Sequence, residues 1–184
     1  MLAYLFWHRP YATITAKQYE EALIHFQKCI EQQRPPGFSG SASFRVNSLP
    51  WLGDRPGYED WCLLEASWAL DPLNAFAVAG PVTSAHDAAA AQMEEGNGGL
   101  YSLVWGEPTL PEHSTTIWLT RPRGIQWRPV LDALRQQLHE ATLWRRQMVL
   151  GPGKEFALIV PAGRQVAAPS GWTALTIDRV RIKT

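Results

Sequence analysis

Cysteine is nearly missing: only Cys29 and Cys62 occur in 184 residues. Two thiols make neither a disulfide framework nor a metal quartet. Both fall in apolar patterns, which reads as two buried thiols. No apolar run reaches membrane-spanning length. The chain enters a strand pattern almost at its first residue, without the basic segment, apolar stretch and cleavage site of an export signal. A cytoplasmic protein with no membrane partner is therefore expected. The five histidines show no paired spacing, which argues against a metal site. Gly96-Asn97-Gly98-Gly99 follows a helical stretch and precedes a strand, the reverse of a phosphate-cradling loop, and no Gly-x-Ser-x-Gly elbow is present. The residues call for no metal and no cofactor.

What is abundant is tryptophan, at nine residues, in a chain that is 46% hydrophobic and 18% charged. Those proportions are those of an ordered globular domain, and so many large rings mean core, interface or pocket. The zero net charge hides an asymmetry: residues 1–112 hold 6 Lys/Arg against 13 Asp/Glu, a net of −7, and residues 113–184 hold 11 against 4, a net of +7. A basic half can attract nucleic acid. Here the basic residues are scattered rather than gathered in a stripe, so attraction between the halves, within or between subunits, is the preferred explanation and nucleic acid is not the expected partner.

Along the chain, Leu2–Pro10 is an aromatic strand pattern closed by proline. Thr15 and Gln18 form a capping box. Tyr19, Ala22, Leu23, Phe26 and Ile30 then mark one face of a helix. Ser41–Leu49 alternates as a half-buried strand, Trp51–Gly57 reads as a turn, and Asp60–Ser67 as a third strand. Asp71-Pro72 opens a short helix to Ala79. Ser84 caps an Ala-rich helix over Ala85–Glu95, which the glycines at 96–99 end before a fourth strand, Leu100–Trp105. This β-α-β-β-α-β order is the split-βαβ pattern, an antiparallel sheet with helices on one side. After the Glu107–Pro111 linker come a strand (Thr115–Thr120), a helix from Trp127 whose stripe Leu131, Leu134, Leu138, Ala141 and Met148 runs to Gly151, and strands at Phe156–Val160 and Trp172–Ile182. That second unit reads β-α-β-β.

Arg9-Pro10 and Arg121-Pro122 lie 112 residues apart, as do Tyr19 and Leu131, and Trp61 and Trp172 lie 111 apart. Near-constant offsets point to a duplication. The division expected is a ferredoxin-like unit over 1–108 and a truncated unit over 113–184, with the two sheets pairing as in a barrel. The fold class is α+β.

The aromatic first strand, the long amphipathic helix, the paired strands, the Ala-rich helix and Gly98-Gly99-Leu100-Tyr101-Ser102-Leu103 together resemble the dimeric α+β barrel superfamily over about residues 1–106. That group holds cofactor-free monooxygenases, haem enzymes that decolourise dyes or degrade chlorite, and small-molecule lyases. The resemblance implies a ferredoxin-like unit whose open sheet face pairs with a second unit, and a homo-oligomer such as a dimer. No haem-ligand motif carries across.

In such a sheet one face packs on the helices and the other must be covered, so the second face is where a cavity is expected. Alternation places Tyr4, Phe6 and His8 on one face, Arg45 with Asn47, Trp61 with Glu65, and Tyr101 with Trp105. If those faces coincide, His8 and Glu65 are the catalytic candidates, an imidazole oriented by a carboxylate. Tyr4, Arg45, Trp61, Tyr101 and Trp105 then line a pocket for a small planar or anionic ligand. A structural Arg45–Glu65 ion pair is the competing explanation. The functions compatible with this reading are a small-molecule-binding protein or cofactor-independent enzyme using the open face, and a non-catalytic protein whose aromatic face is a subunit or domain interface.

Overall fold

The computed structural model describes residues 1–183. Twelve elements follow in chain order: β1 (Leu2–Pro10), α1 (Ala16–Gln33), β2 (Phe38–Leu49), β3 (Arg55–Leu64), α2 (Leu70–Ala79), α3 (Thr83–Ala90), β4 (Met93–Trp105), β5 (His113–Thr120), α4 (Trp127–Arg135), β6 (Thr142–Arg146), β7 (Phe156–Pro161) and β8 (Thr173–Arg181). Single 3-10 turns lie at Pro50–Leu52 and Ser67–Ala69. The eight strands close into one antiparallel barrel, in the order β1-β3-β2-β8-β5-β7-β6-β4. The first four strands follow one another as β4-β1-β3-β2 and the last four as β8-β5-β7-β6, so position for position the two halves are laid out alike. Each half contributes one sheet, and the pairs β2–β8 and β6–β4 join them. The bare face left by one-sided helices is thus covered by the chain's own second half.

Alternation along the strands divides two environments. Inward residues Trp7, Phe44, Trp61, Tyr101, Trp118 and Trp144 form one buried cluster inside the barrel. The rings pack edge to face, with centroids 5.7 Å apart for Trp7–Trp118 and 5.5 Å for Trp61–Trp144, a favoured geometry for aromatic pairs. Outward residues of β1 and β3 meet α1, α2 and α3, as in the cluster of Leu2, Cys62 and Leu64 with Ile30, Leu73 and Ala85. On the other side Ile117, Leu119, Leu143 and Leu158 pack against Leu131 of α4. The α1 capping box forms as expected: Thr15 Oγ1 accepts from the Gln18 amide, and the Thr15 amide donates to the Gln18 side chain.

Five expectations need correction. The long second-unit helix ends at Arg135, and Thr142–Arg146 is a strand, so this half is β-α-β-β-β. Leu131, Leu138 and Ala141 do bury together in one cluster, but they reach it from a helix, a turn and a strand edge. The Ala-rich helix stops at Ala90, with Val82 rather than Ser84 at its N-cap position. The glycines at 96, 98 and 99 do not end that helix. They sit inside β4 beneath the rings of β1, and a Cβ on Gly98 would lie 3.1 Å from the Tyr4 ring and one on Gly99 3.0 Å from Trp7. Here glycine provides clearance for aromatic side chains crossing the strand. β3 starts at Arg55 and ends at Leu64, so the expected turn is confined to its first residues and Glu65 falls outside the strand. Trp172 precedes β8, the fourth strand of its half, and so is not the positional counterpart of Trp61 in β3.

Candidate functional site

Strand register decides which side chains can meet. In the β1–β3 pair Tyr4 faces Cys62, Leu5 faces Trp61, Phe6 faces Asp60 and His8 faces Tyr58. Directly opposed residues share a face. The outward row of β1 (Tyr4, Phe6, His8) therefore continues into Tyr58, Asp60 and Cys62, whereas Trp61 continues the inward row. In the β2–β3 pair Arg45 opposes Tyr58, which also puts Arg45 outside. In the β1–β4 pair Tyr101 opposes Ala3, which puts Tyr101 inside.

The expected site residues therefore separate. Trp61 and Tyr101 are packed within the barrel. Trp105, after an irregularity in the β4–β6 register, packs outside with the α4 cluster. Arg45 lies on the surface and forms a bidentate ion pair with Glu20, with contacts of 2.6–2.8 Å. Glu65 is exposed just beyond β3. Only Tyr4 and His8 share a cavity. That cavity, of about 460 Å³, lies on the outer side of β1 and β3 beneath α1, α2 and α3. It is of a size that suits a small organic ligand.

At its floor three polar groups converge. His8, 1% exposed, places Nδ1 2.6 Å from the Tyr19 hydroxyl and Nε2 3.3 Å from Asp60 Oδ2. The carboxylate beside His8 is thus Asp60, contributed by the adjacent strand, and it is 7% exposed. The imidazole lies parallel to Phe6 and Tyr58, at centroid distances of 5.2 and 5.8 Å. This stacking fixes its plane. Burial, with the Asp60 charge nearby, pushes the Tyr19 hydroxyl up, so Tyr19 keeps its proton and donates it to Nδ1. The remaining imidazole proton then belongs on Nε2, facing Asp60, a tautomer assigned from the neighbours. The 3.3 Å contact lacks hydrogen-bond alignment, and both His8 Nε2 and Asp60 Oδ1 are buried without a hydrogen-bond partner.

The rest of the lining is largely apolar, with Phe6, Leu23, Phe26, Leu73 and Met93 among it, and Asp71, Asn74 and His86 also contribute. Burial and the Asp60 charge push the Cys62 thiol up, so it stays protonated and inert. Tyr4 is pushed up to about 12, chiefly by burial. Among the described residues no group of three or more His, Cys, Asp and Glu is placed to hold a metal ion. Chemically, Asp60 Oδ1 can accept a hydrogen bond or a proton from a bound molecule, with His8 Nε2 beside the other carboxylate oxygen and Tyr19 hydrogen-bonded to His8.

Asp60 and Tyr19 escaped the sequence argument for a simple reason. Period-two alternation groups residues within a strand but not between strands, and the β1–β3 register sets Asp60 opposite Phe6. The available signal was the carboxylate pair Glu59-Asp60 at the head of the apolar run Trp61–Leu64. A buried charge in such a run needs a partner or a task.

Fold and cavity together define a closed eight-stranded antiparallel α+β barrel with a ligand-sized pocket on its helical side. No known family profile matches the sequence, and no curated protein does. Among solved structures, a protein from Lactobacillus acidophilus NCFM described as a candidate monooxygenase superposes with a TM-score of 0.61 at 8% identity, over 99% of this chain and 94% of that one. An anthrone oxidase-like protein gives a TM-score of 0.49 at 13% identity, over 97% of this chain and 91% of that one. At 8% identity the likeness to the first is one of fold. No helix among the described residues is long and apolar enough to cross a membrane.

Proposed function

We propose that this protein binds a small, ring-bearing organic molecule in the outer cavity between β1, β3 and the helices. Asp60 Oδ1 is the polar anchor, His8 positions that carboxylate, and Tyr19 positions His8. One observation carries this reading: a buried carboxylate oxygen of Asp60 and a buried imidazole nitrogen of His8, neither with a hydrogen-bond partner, belong to residues that line a largely apolar cavity of about 460 Å³. Unsatisfied buried polar atoms are costly and rare in folded proteins, and a ligand group would satisfy them. The same carboxylate accepts a proton from a sufficiently acidic ligand, which is the chemistry these residues supply by themselves for a cofactor-independent enzyme of the dimeric α+β barrel type. The fold likeness to a candidate monooxygenase supports that class by analogy alone.

In this reading the two halves are copies of one ferredoxin-like unit, spanning about residues 1–108 and 113–184. The common strand layout of the two sheets supports the duplication. The second half lacks a helix between β7 and β8. The barrel interior fits the non-catalytic alternative, because its tryptophans are the packed interface between the halves. That interface is intrachain, and the site lies outside it.

A thermal-shift screen of ring-bearing fragments tests the proposal. Hits are expected with the wild type and are expected to disappear in Ala89→Trp, which places an indole in the cavity from α3. His8→Ala should weaken the same hits by releasing Asp60. A hit list that Ala89→Trp leaves intact overturns the cavity as the site, and binding that His8→Ala leaves unchanged removes His8 from it.

A further inference from the structure

The charges around the cavity choose among ligands. The Asp60 side chain at its floor is 10% exposed. Its carboxylate meets His8 obliquely, an imidazole and not a permanent cation, and its Oδ1 has no hydrogen-bond partner. A second carboxylate, Asp71, lies on the lining, while none of the chain's 17 Lys and Arg does. The other titratable groups facing the floor are Tyr4 and His8 from β1, Tyr19 from α1, Tyr58 and Cys62 from β3, and His86 from α3, the last held by Asp87 at 3.0 Å. A buried carboxylate without a fixed cation is poorly stabilised. A ligand carboxylate or phosphate placed beside it would add repulsion with nothing to offset it. Parallel rings from β1, with Tyr4–Phe6 centroids 6.4 Å apart, and the ring of Phe26 offer faces to a positive group.

We propose that the ligand is an organic cation, a protonated amine carried on an apolar ring system, whose ammonium group donates to Asp60 Oδ1 while the ring lies among Phe6, Phe26 and the helix side chains. The anionic ligand expected from the sequence relied on Arg45, which lies outside the cavity on Glu20. This inference rests on the outer cavity being the binding site, and the test separates the two.

Calorimetric titration at neutral pH uses three isosteric probes: 2-naphthylmethylamine, 2-naphthalenemethanol and 2-naphthoate. The amine should bind about tenfold or more tighter than the alcohol, as a charge-assisted hydrogen bond exceeds a neutral one, and the carboxylate should not bind measurably. Asp60→Asn, nearly isosteric, should bring the amine down to the level of the alcohol. Ala89→Trp should abolish binding of all probes. If the alcohol matches or exceeds the amine and Ala89→Trp still abolishes it, the cation proposal fails while the cavity stands. If no probe binds the wild type, or Ala89→Trp changes nothing, the cavity fails and the proposal with it. Should either variant lose its circular dichroism spectrum, the wild-type amine-to-alcohol ratio decides the charge question and Ala77→Phe, on α2, replaces Ala89→Trp.

Discussion

Glu59→Gln is the substitution with the largest predicted effect on stability. Glu59 is 1% exposed inside the barrel. Its Oε2 accepts from Trp7 Nε1 at 2.7 Å, and its Oε1 accepts from Trp61 Nε1 at 2.6 Å and from Arg179 Nη1 at 3.2 Å. Arg179, also 1% exposed, donates to Ser114 Oγ at 2.6 Å, and its guanidinium lies 4.2 Å from the Phe44 ring and 5.0 Å from the Trp61 ring. Burial pulls the Arg179 pKa down and Glu59 opposes that shift. Glutamine removes the opposing charge, and its amide group must face one of the two indole N–H groups, donor against donor. Breaking a buried pair by removing one partner costs about 3–5 kcal/mol, against a total stability of roughly 5–15 kcal/mol for a domain. Urea unfolding followed by tryptophan fluorescence reads the loss. Because Glu59 belongs to β3 and Arg179 to β8, the pair ties the first half to the second across β2. A double-mutant cycle with Arg179→Met should return a coupling of about 2 kcal/mol or more. A Glu59→Gln cost below about 1 kcal/mol, or a coupling near zero, would refute the assignment of this network as the tie between halves.

Gly98→Ala should cost about 1–3 kcal/mol by overpacking against Tyr4, since the added Cβ meets that ring at 3.1 Å. A cost that stays undiminished when Tyr4 is also replaced by alanine would count against the clearance role. Tyr4 and Tyr58 are both pushed up to about 12, mainly by burial. The folded chain thus holds these protons where an unfolded chain, with tyrosines near 10, releases them. Their contribution to stability is complete below pH about 10 and is lost as pH rises towards 12. Absorbance titration at 295 nm together with unfolding at successive pH values should show late phenol ionisation and falling stability over that window, and ionisation of all five tyrosines near pH 10 would contradict it.

The sequence made the strand and helix inventory of the first half legible because its signals are local: a capping box at Thr15, alternation in β2, proline at the first turn of α2. It was misleading where apolar spacing has two solutions. Leu131, Leu134, Leu138 and Ala141 fit a helical stripe, yet Trp144 and Leu143 alternate as a strand because β4 and β7 lie on either side to pair with. Gly96–Gly99 looked like a helix stop because nothing local says that aromatic rings from β1 will cross it. The candidate site was half legible. His8 and Tyr4 could be picked out as polar and aromatic members of one face, but their partners depend on cross-strand register and on α1 folding over the sheet. That is why Asp60 and Tyr19, rather than Glu65 and Arg45, stand beside His8. The pairing of two sheets expected from the sequence takes the form of a closed barrel, and tryptophans fill its interior.

The most direct test of where this protein binds its ligand is nuclear magnetic resonance with isotope-labelled histidine and tryptophan, titrated with 2-naphthylmethylamine and, separately, 2-naphthalenemethanol. Binding in the outer cavity predicts saturable shifts of the His8 ring signals, with the indole N–H signals of Trp118 and Trp144 inside the barrel unmoved. Shifts of those two indoles while His8 stays still would place the ligand within the barrel and contradict the account.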